Sequence, residues 1–539
     1  MKKLFVLLMA VILVLSACSS SDSSETAVNT DTAEKESIEK VSLPVFSWQS
    51  PPIADYDNND LTNLLEGKFN VEFEWTLVPQ DATLEKQNVL LASGNYPAVF
   101  VAGLFSQNDQ IKLGSNGILI PLNDLIAEYG PNIRKAFEKS PYLLKGVTAP
   151  DGNIYALPGL EECYHCDYAQ KMWINKDWLK KLNLSMPTTT DELYNTLKAF
   201  KEKDPNGNGK KDEVPLTGAI SWWHAEPTYY LMNSFAYASD ANFLTLNNGK
   251  VGFNANKPEW KEGLTFIRKL FAEGLIDQQA YTQNFEGLQK IANNPNEVIM
   301  GGFTGGCCVP TTGDDGRWTQ YEVVPPVKGP GGIQFIGYFG GNVANGQFAI
   351  TDKATKDQQI RAIQIVDYLF STEGSLDSMY GPKGIGWFDP KEGETGIDGK
   401  PALYSAVEPY ERPDKKSVTW DTSLKYTPAE LFNGRAQGQD VTKPDGFEKH
   451  LAVQTDKLAS FKPAELFPQA IWFSPEDALK LAQIKTDITN YINTNAVQFI
   501  SGQKDLNKDW DAYVNGFGGL GLDEFINKNQ EAYDQQYKK

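Results

Sequence analysis

The twelve residues Asp204 to Pro215, DPNGNGKKDEVP, alternate side-chain oxygens with small residues between an amphipathic stretch and the segment that follows it. Asp204, Asn206 and Asn208 fall at loop positions 1, 3 and 5, and Gly209 at position 6 permits a sharp turn. The carbonyl of Lys210 then stands at position 7 and Asp212 at position 9. As far as the ninth residue this is EF-hand spacing for a hard cation. The twelfth position breaks the pattern: Pro215 cannot supply a bidentate carboxylate, and Glu213 is the only local acid left to close the shell. The spacing predicts a calcium site, weighed against a solvated Asn/Gly turn whose acids are balanced by Lys210 and Lys211. A single loop after a single helix lacks the paired geometry of a sensor, so the expected role of Ca2+ is a structural clip.

The chain begins MKKLFVLLMAVILVLSA, two lysines and an apolar run followed by small residues, which reads as a signal peptide over residues 1–17. Leu15, Ser16, Ala17 and Cys18 match a bacterial lipobox, making Cys18 the expected lipidated first residue of the mature chain. The plainer alternative is a secretory signal with an incidental cysteine. Residues 18–40 are polar and lack aromatics, as a flexible tether does. The formal charge is −19, and losing Lys2 and Lys3 with the signal makes it −21. Such acidity argues against nucleic acid or anionic surfaces as partners. No second apolar run is long enough to cross a bilayer. The mature chain is expected to be soluble apart from its anchor, long enough for two or more domains.

Periodicity gives the opening elements. Val41 to Trp48 has strand character, LTNLLEGKFN after Asp60 is helical, and VEFEWTLVP alternates. Strand, helix, strand is the first unit of an α/β sandwich. Ala98 to Ala102 reads as a short buried strand. Thr189 should cap a helix with Glu192 as its capping-box partner. Lys257 to Gly274 should turn Trp260, Leu264, Ile267 and Phe271 inward. Ser474 should cap a helix from Pro475 to about Asn493, buried along Ala478, Leu481, Ile484, Ile488 and Tyr491.

The stretch INKDWLKKLNLSMPTTTDELYNTLKAFKEKDPNGNGKKDEVPL, with EGLTFIRKLFAEGLIDQQAYTQN and RAIQIVDYLFSTEGSLDSMYGPKGIGWF, resembles extracellular solute-binding proteins of bacterial ABC importers. The similarity is to the large oligosaccharide-binding type, in which the alginate-binding proteins carry a calcium loop at this place. It covers essentially the whole mature chain. It implies that Asp204, Asn206, Asn208, Asp212, Glu213 and the Lys210 carbonyl hold calcium. It also implies an α/β, two-lobed periplasmic-binding-protein-like fold with a ligand cleft between the lobes and extra C-terminal helices. By analogy with maltose-binding protein the chain first crosses near Leu157 to Leu160 and again near Val324 to Gly340. One lobe would then take residues 41–159, the other 160–327 with the calcium loop 204–215, and residues 328–539 would return to both and supply the last helices. The implied protein is a monomer, lipid-anchored at the outer face of the cell membrane, that captures an oligosaccharide and delivers it to separate ABC permease subunits.

Sugar sites combine flat apolar faces with amides and carboxylates. The candidates are therefore aromatics in loops: Trp222, Trp223 and His224 after the calcium loop, Trp48 at the end of the first strand, Trp387 after GPKGIG, and Trp318 in TTGDDGRW. Tyr338, Asn342 and Trp420 are added, with core burial as the rival reading for each. Trp173, Trp178, Trp260 and Trp510 are assigned to the core. Glu161, Glu162 and Arg317 could bind hydroxyls or be solvated surface. The acidic balance favours a neutral oligosaccharide over a polyanion.

Four cysteines besides Cys18 remain: Cys163 and Cys166 in ECYHCD, and the adjacent Cys307 and Cys308. An even count on an exported chain favours disulfides. Neighbouring Cα atoms at about 3.8 Å are too close for the usual disulfide span of about 4.4 to 6.8 Å. With the fold analogy placing both segments at one cleft edge, bonds from the first pair to the second are expected. A vicinal bond and a zinc site using thiolates and His165 are the alternatives. No nucleophile elbow, phosphate loop, zincin helix or dinucleotide fingerprint is present, so the chain reads as a binding protein and not an enzyme. The alternatives are a surface polysaccharide-degrading enzyme and a non-transport glycan receptor.

Overall fold

In VEFEWTLVP, Val71 and Phe73 are buried while Glu72 and Glu74 face solvent, the alternation of a strand with one covered face. This strand, β2 (Val71–Pro79), pairs in parallel with β1 (Val41–Gln49) along its whole length, from Val41 opposite Val71 to Gln49 opposite Pro79. The helix between them, Asp60–Phe69, starts where Asn59 Oδ1 accepts from the amide of Leu61 at 3.0 Å and stops at Asn70 in the left-handed region, φ 50°. Parallel pairing through a helical crossover follows from that connection. β3 (Val99–Phe100) adds in parallel on the other side of β1, and the late strand β10 (Ala349–Ile350) closes the sheet antiparallel to β3. The computed structural model describes residues 40–50, 53, 55–220, 222–239, 243–308, 316–340, 346–407, 417–422 and 424–538. Cys18, the signal segment, nearly all of the tether and Asn342 lie outside the described residues.

A second sheet is built around β5 (Met172–Asn175), antiparallel to β8 (Gly302–Thr304) and to β9 (Tyr321–Val323). Residues 214–217 extend it, running parallel to β8 through bridges from Val214 to Met300 and from Thr217 to Phe303. Smaller pairings are the hairpin β6 (Leu244–Asn247) with β7 (Lys250–Phe253), β11 (Trp387–Phe388) with β12 (Ser405–Ala406), and β4 (Leu160–Glu161) with β13 (Tyr426–Thr427). Each main sheet has its own core. Leu43, Val45, Val71, Val99 and Ile363 pack about the first, whereas Met172, Trp173, Phe303 and Tyr321 join the C-terminal helices about the second.

The helix Thr190–Glu202 begins as its residues require, with Thr189 Oγ1 accepting from the Glu192 amide at 3.2 Å. Glu192 does not complete the box at Thr189; its carboxylate accepts instead from the amide and hydroxyl of Thr188. In the helix Pro258–Ala272, Trp260, Gly263, Leu264, Ile267 and Leu270 are buried, while Phe271 is half-buried, because the stripe drifts as 3.6 residues per turn require. The helix opened by Ser474 runs on to Ser501, past the expected end at Asn493, and buries Ile492, Phe499 and Ile500 in its last turns. DGNIYALP yields a turn but no strand; Leu157 makes only a single bridge, to Phe348.

His450 is buried in the second core with its ring stacked on Trp173 and edge-on to Trp318. Burial, with Lys176 and Lys457 nearby, pushes its pKa down from 6.5 to about 4. Between those values the unfolded chain binds the proton that the native chain refuses. The contribution is thus fully present above pH 6.5 and lost as pH falls toward 4, worth ~3 kcal/mol. Denaturant titrations across this range should show stability falling on acidification more steeply for the wild type than for His450→Phe. Identical pH slopes would show that His450 is not responsible. The comparison is made as a difference because Asp167, described below, works in the opposite direction.

Candidate functional site

In open α/β sheets, ligands meet the loops beyond the carboxyl ends of the strands. In the second sheet the strand-like residues 214–217 and β8 run side by side, joined by Thr217 N to Gly302 O at 3.0 Å and Thr304 N to Thr217 O at 3.2 Å. Both start beside the Asp204–Pro215 loop. They end together, the first at Trp222, Trp223 and His224 and the second at Gly305, Gly306, Cys307 and Cys308. The beginning of the antiparallel β5 brings Cys163 to Lys171 to the same edge.

Close approach of these loops depends on two glycines. A Cβ on Gly305 would lie 2.3 Å from the Trp222 ring, and one on Gly306 would lie 2.3 Å from the Trp223 ring. Trp222 stacks on Phe285 with centroids 4.8 Å apart, while Trp223 remains 36 % exposed. His224 holds φ at 51°, uncommon for a side chain of its size, and this turns its ring onto Phe339 at 4.0 Å. Tyr338 then packs on Tyr168, and Tyr168 on Tyr164. The result is a broken aromatic wall from Trp223 to Tyr164.

Asp167 stands within it. Its Oδ2 accepts from the Tyr338 hydroxyl at 3.4 Å, its carbonyl accepts from the Phe339 amide at 2.8 Å, and burial pushes its carboxyl up to about 6. The Tyr338 hydrogen bond opposes that shift and Glu162 adds to it. Lys462 lies over the Tyr338 ring, and Tyr164 donates to Asp456 at 3.0 Å. Flat faces beside carboxylates and hydroxyls suit C–H stacking and hydroxyl recognition. Asp167, Tyr164, Tyr168 and Phe339 were not singled out from the sequence, although YHCDY packs three ring residues and an acid into five positions.

Beneath the wall Lys171 is fully buried, its Nζ donating to the carbonyls of His165 at 2.7 Å, Tyr168 at 2.8 Å and Gly306 at 3.1 Å. Dehydration pushes its pKa down to about 7, partly opposed by Cys307 and Cys308. The sulfurs depart from expectation. Cys163 is bonded to Cys166, three residues on, and Cys307 and Cys308 are buried thiols. The helical turn Tyr164–Asp167 brings the first pair to a Cα separation of 5.2 Å, within disulfide reach, so cross-pairing is not adopted. With those two sulfurs bonded to each other, the zinc alternative does not apply to this state.

Three other sugar candidates are core residues. Trp318 packs against Phe447 and His450. Trp387 is buried with Tyr380 and Tyr404, and its indole donates to Asp377 at 2.7 Å. Trp420 is buried edge-on to Phe73 and Trp75, donating to Thr62 at 2.8 Å. For Trp387 and Trp420 the indole N–H found a buried acceptor, which let the ring enter the core despite its loop context. Arg317 is likewise buried, donating to the carbonyls of Ala292 and Asn294. Glu161 pairs with Lys425 at 2.7 Å, and Glu162 accepts from Tyr142 and the Ala429 amide. Trp48 is half-buried at the carboxyl end of β1, in the first sheet.

In the Asp204–Pro215 loop, Asp204 accepts from the amides of Gly207, Asn208 and Gly209 at 2.9 to 3.0 Å, and both glycines take positive φ. Asn206 and Asn208 turn their Nδ2 atoms toward Asp212. Glu213 Oε1 is buried with no hydrogen-bond partner, and burial together with Asp204 and Asp212 raises its carboxyl pKa. An orphaned carboxylate oxygen facing two more carboxylates fits a hard cation, since a divalent ion would relieve both its desolvation and its repulsion. The residues fit Ca2+, with Glu297 as a neighbouring acid that accepts from Asn208.

A cavity of about 580 Å3 lies apart from the wall, lined by Phe235, Tyr237, Asn254, Phe335 and Phe467 among others. It shares no lining residue with the wall. The wall, with its perturbed acid and constrained loops, is the stronger candidate.

Comparison with known proteins agrees with this architecture. Over 98 % of its length the chain is 29 % identical to a fructooligosaccharide ABC transporter substrate-binding protein, FusA of Streptococcus pneumoniae, covering 97 % of that protein. The structure of a FusA EF-hand mutant in complex with fructo-nystose superposes with a TM-score of 0.74 at 26 % identity, covering 92 % of this chain and 99 % of that one. Lipoprotein LipO of Bacillus subtilis is 27 % identical over 90 % of this chain and 84 % of its own. The alginate-binding protein AlgQ2, solved without calcium ion, shares the fold at a TM-score of 0.68 and 23 % identity, covering 92 % and 98 % of the two chains. The family model for bacterial extracellular solute-binding proteins matches residues 59–375, more than half of the sequence, and the chain belongs to that family.

Proposed function

We propose that this protein is the lipid-anchored, calcium-clipped receptor of an ABC importer and that it captures a neutral oligosaccharide against the wall from Trp223 to Tyr164. The observation that carries the reading is the convergence of Trp223, His224, Phe339, Tyr338 and Asp167 on glycine-dependent loops. The family supports transport and FusA supports an oligosaccharide; a hydrolase is disfavoured because the matched relatives are transport receptors. Asp167, Glu162 and Asp456 make the wall acidic, which repels uronate-rich chains and admits neutral ones. The lobe division at 41–159, 160–327 and 328–539 follows the separate cores of the two sheets, with ligand bound between lobes that close upon it. Cys18 as the anchor rests on the lipobox and on the kinship with LipO. Calcium, when bound, would be held by Asp204, Asn206, Asn208, the Lys210 carbonyl, Asp212 and Glu213, and would neutralise their mutual repulsion. The ligand would then be handed to separate permease subunits by a monomer.

Thermal unfolding of the mature chain against neutral and acidic oligosaccharides tests the assignment, because a ligand that binds only the native state raises Tm. A rise with a neutral family, without product formation, is expected; a rise with uronates alone, or breakdown of the sugar, would refute it. Chelation should lower Tm by about 5–10 °C, a shift abolished in Glu213→Gln, and indifference to chelator would exclude the clip. Gly306→Ala should displace the Trp223 ring and weaken sugar binding roughly tenfold, an effect of about 1.4 kcal/mol. Trp223→Ala should weaken it at least as much. Unchanged affinity in both variants, measured calorimetrically, would move the site elsewhere.

A further inference from the structure

The turn that bears Asp167 and Tyr164 is itself a cluster of soft ligands. Cys163 and Cys166 flank His165, and their two Sγ atoms and a ring nitrogen of the imidazole all lie within 4.8 Å of one another. His165 is 8 % exposed; its Nε2 is 3.8 Å from Cys166 Sγ and 3.2 Å from Glu448 Oε2, while Nδ1 is buried without a hydrogen-bond partner. An unpartnered nitrogen in such a position costs stability that a ligand would recover. The C-x2-C spacing is that of one half of a tetrahedral zinc site, and Glu448 adds a carboxylate beside the same imidazole.

We propose that Cys163, His165 and Cys166 form a three-ligand site for a soft divalent cation of the zinc type, open at its fourth position and available only when the disulfide is reduced. A dithiol of the surroundings supplies two electrons and two protons and is itself oxidised to a disulfide. The Sγ–Sγ bond breaks, giving two thiols. Cation binding then releases those two protons as both sulfurs coordinate as thiolates. The chelate replaces the covalent bond across the same turn, so Tyr164 and Asp167 keep their places in the wall through a change of redox state.

Cobalt(II) titration of the mature chain tests this, with calcium present to occupy the oxygen-rich loop and the protein reduced by a phosphine without oxygen. One equivalent should produce thiolate-to-cobalt charge-transfer absorption in the reduced protein and none in the oxidised one, and zinc should bleach it. His165→Ala and Cys163→Ser should each lower affinity at least tenfold, while Cys307→Ser should leave it unchanged. Absence of charge transfer in reduced protein that keeps its near-ultraviolet circular dichroism would overturn the proposal. So would bands that survive in both His165→Ala and Cys163→Ser, or loss of native dichroism on reduction, since the ligands converge only in the folded turn.

Discussion

One ammonium group holds the working edge of the second sheet together. Lys171 is wholly removed from water, and each of its three donors is met by a carbonyl, of His165, Tyr168 and Gly306. A buried cation is tolerated only when its hydrogens are satisfied, and a carbonyl turned inward is tolerated only when it receives one. Each side therefore fixes the other. Two of the carbonyls belong to the turn that bears the acid and tyrosines of the wall, and the third lies in the glycine pair beneath the exposed tryptophan. Sequence separation between these loops is erased at a single atom.

The same edge is governed from its far end. Residues 214–217 and 302–304 leave the neighbourhood of the Asp204–Pro215 loop as parallel neighbours and deliver Trp222 to His224 and Gly305 to Cys308 at the wall. Since the side-chain period of a strand is two, a slip of one residue would turn every contact to the opposite face. The packing at the start of both strands thus bears on the geometry of the loops at their other end. The oxygen-rich loop lies on the opposite edge of the sheet from the wall.

Local signals were legible wherever a residue acts on near neighbours. The caps at Thr189 and Ser474, the alternation of β2 and the turn of Asp204–Gly209 all arise within a few residues. The wall was legible in part: the run Trp222, Trp223 and His224 stood out in a loop, and Tyr338 was a weaker candidate. Trp318, Trp387 and Trp420 looked alike in sequence, yet their surroundings closed over them. Asp167 was hidden because nothing local distinguishes it from the other acids; its perturbation comes from burial among Tyr338, Phe339 and Lys171.

The main elements and the family could be read from the residues alone, and so could the oxygen-rich spacing of Asp204–Pro215, because backbone conformation and spacing depend on contacts between residues close in the chain. Which tryptophans face solvent and which acid is starved of water were decided only by tertiary structure. These properties depend on what lies across the gap from a side chain. Gly306, for instance, is one glycine among 45 until Trp223, 83 residues earlier, is laid against it.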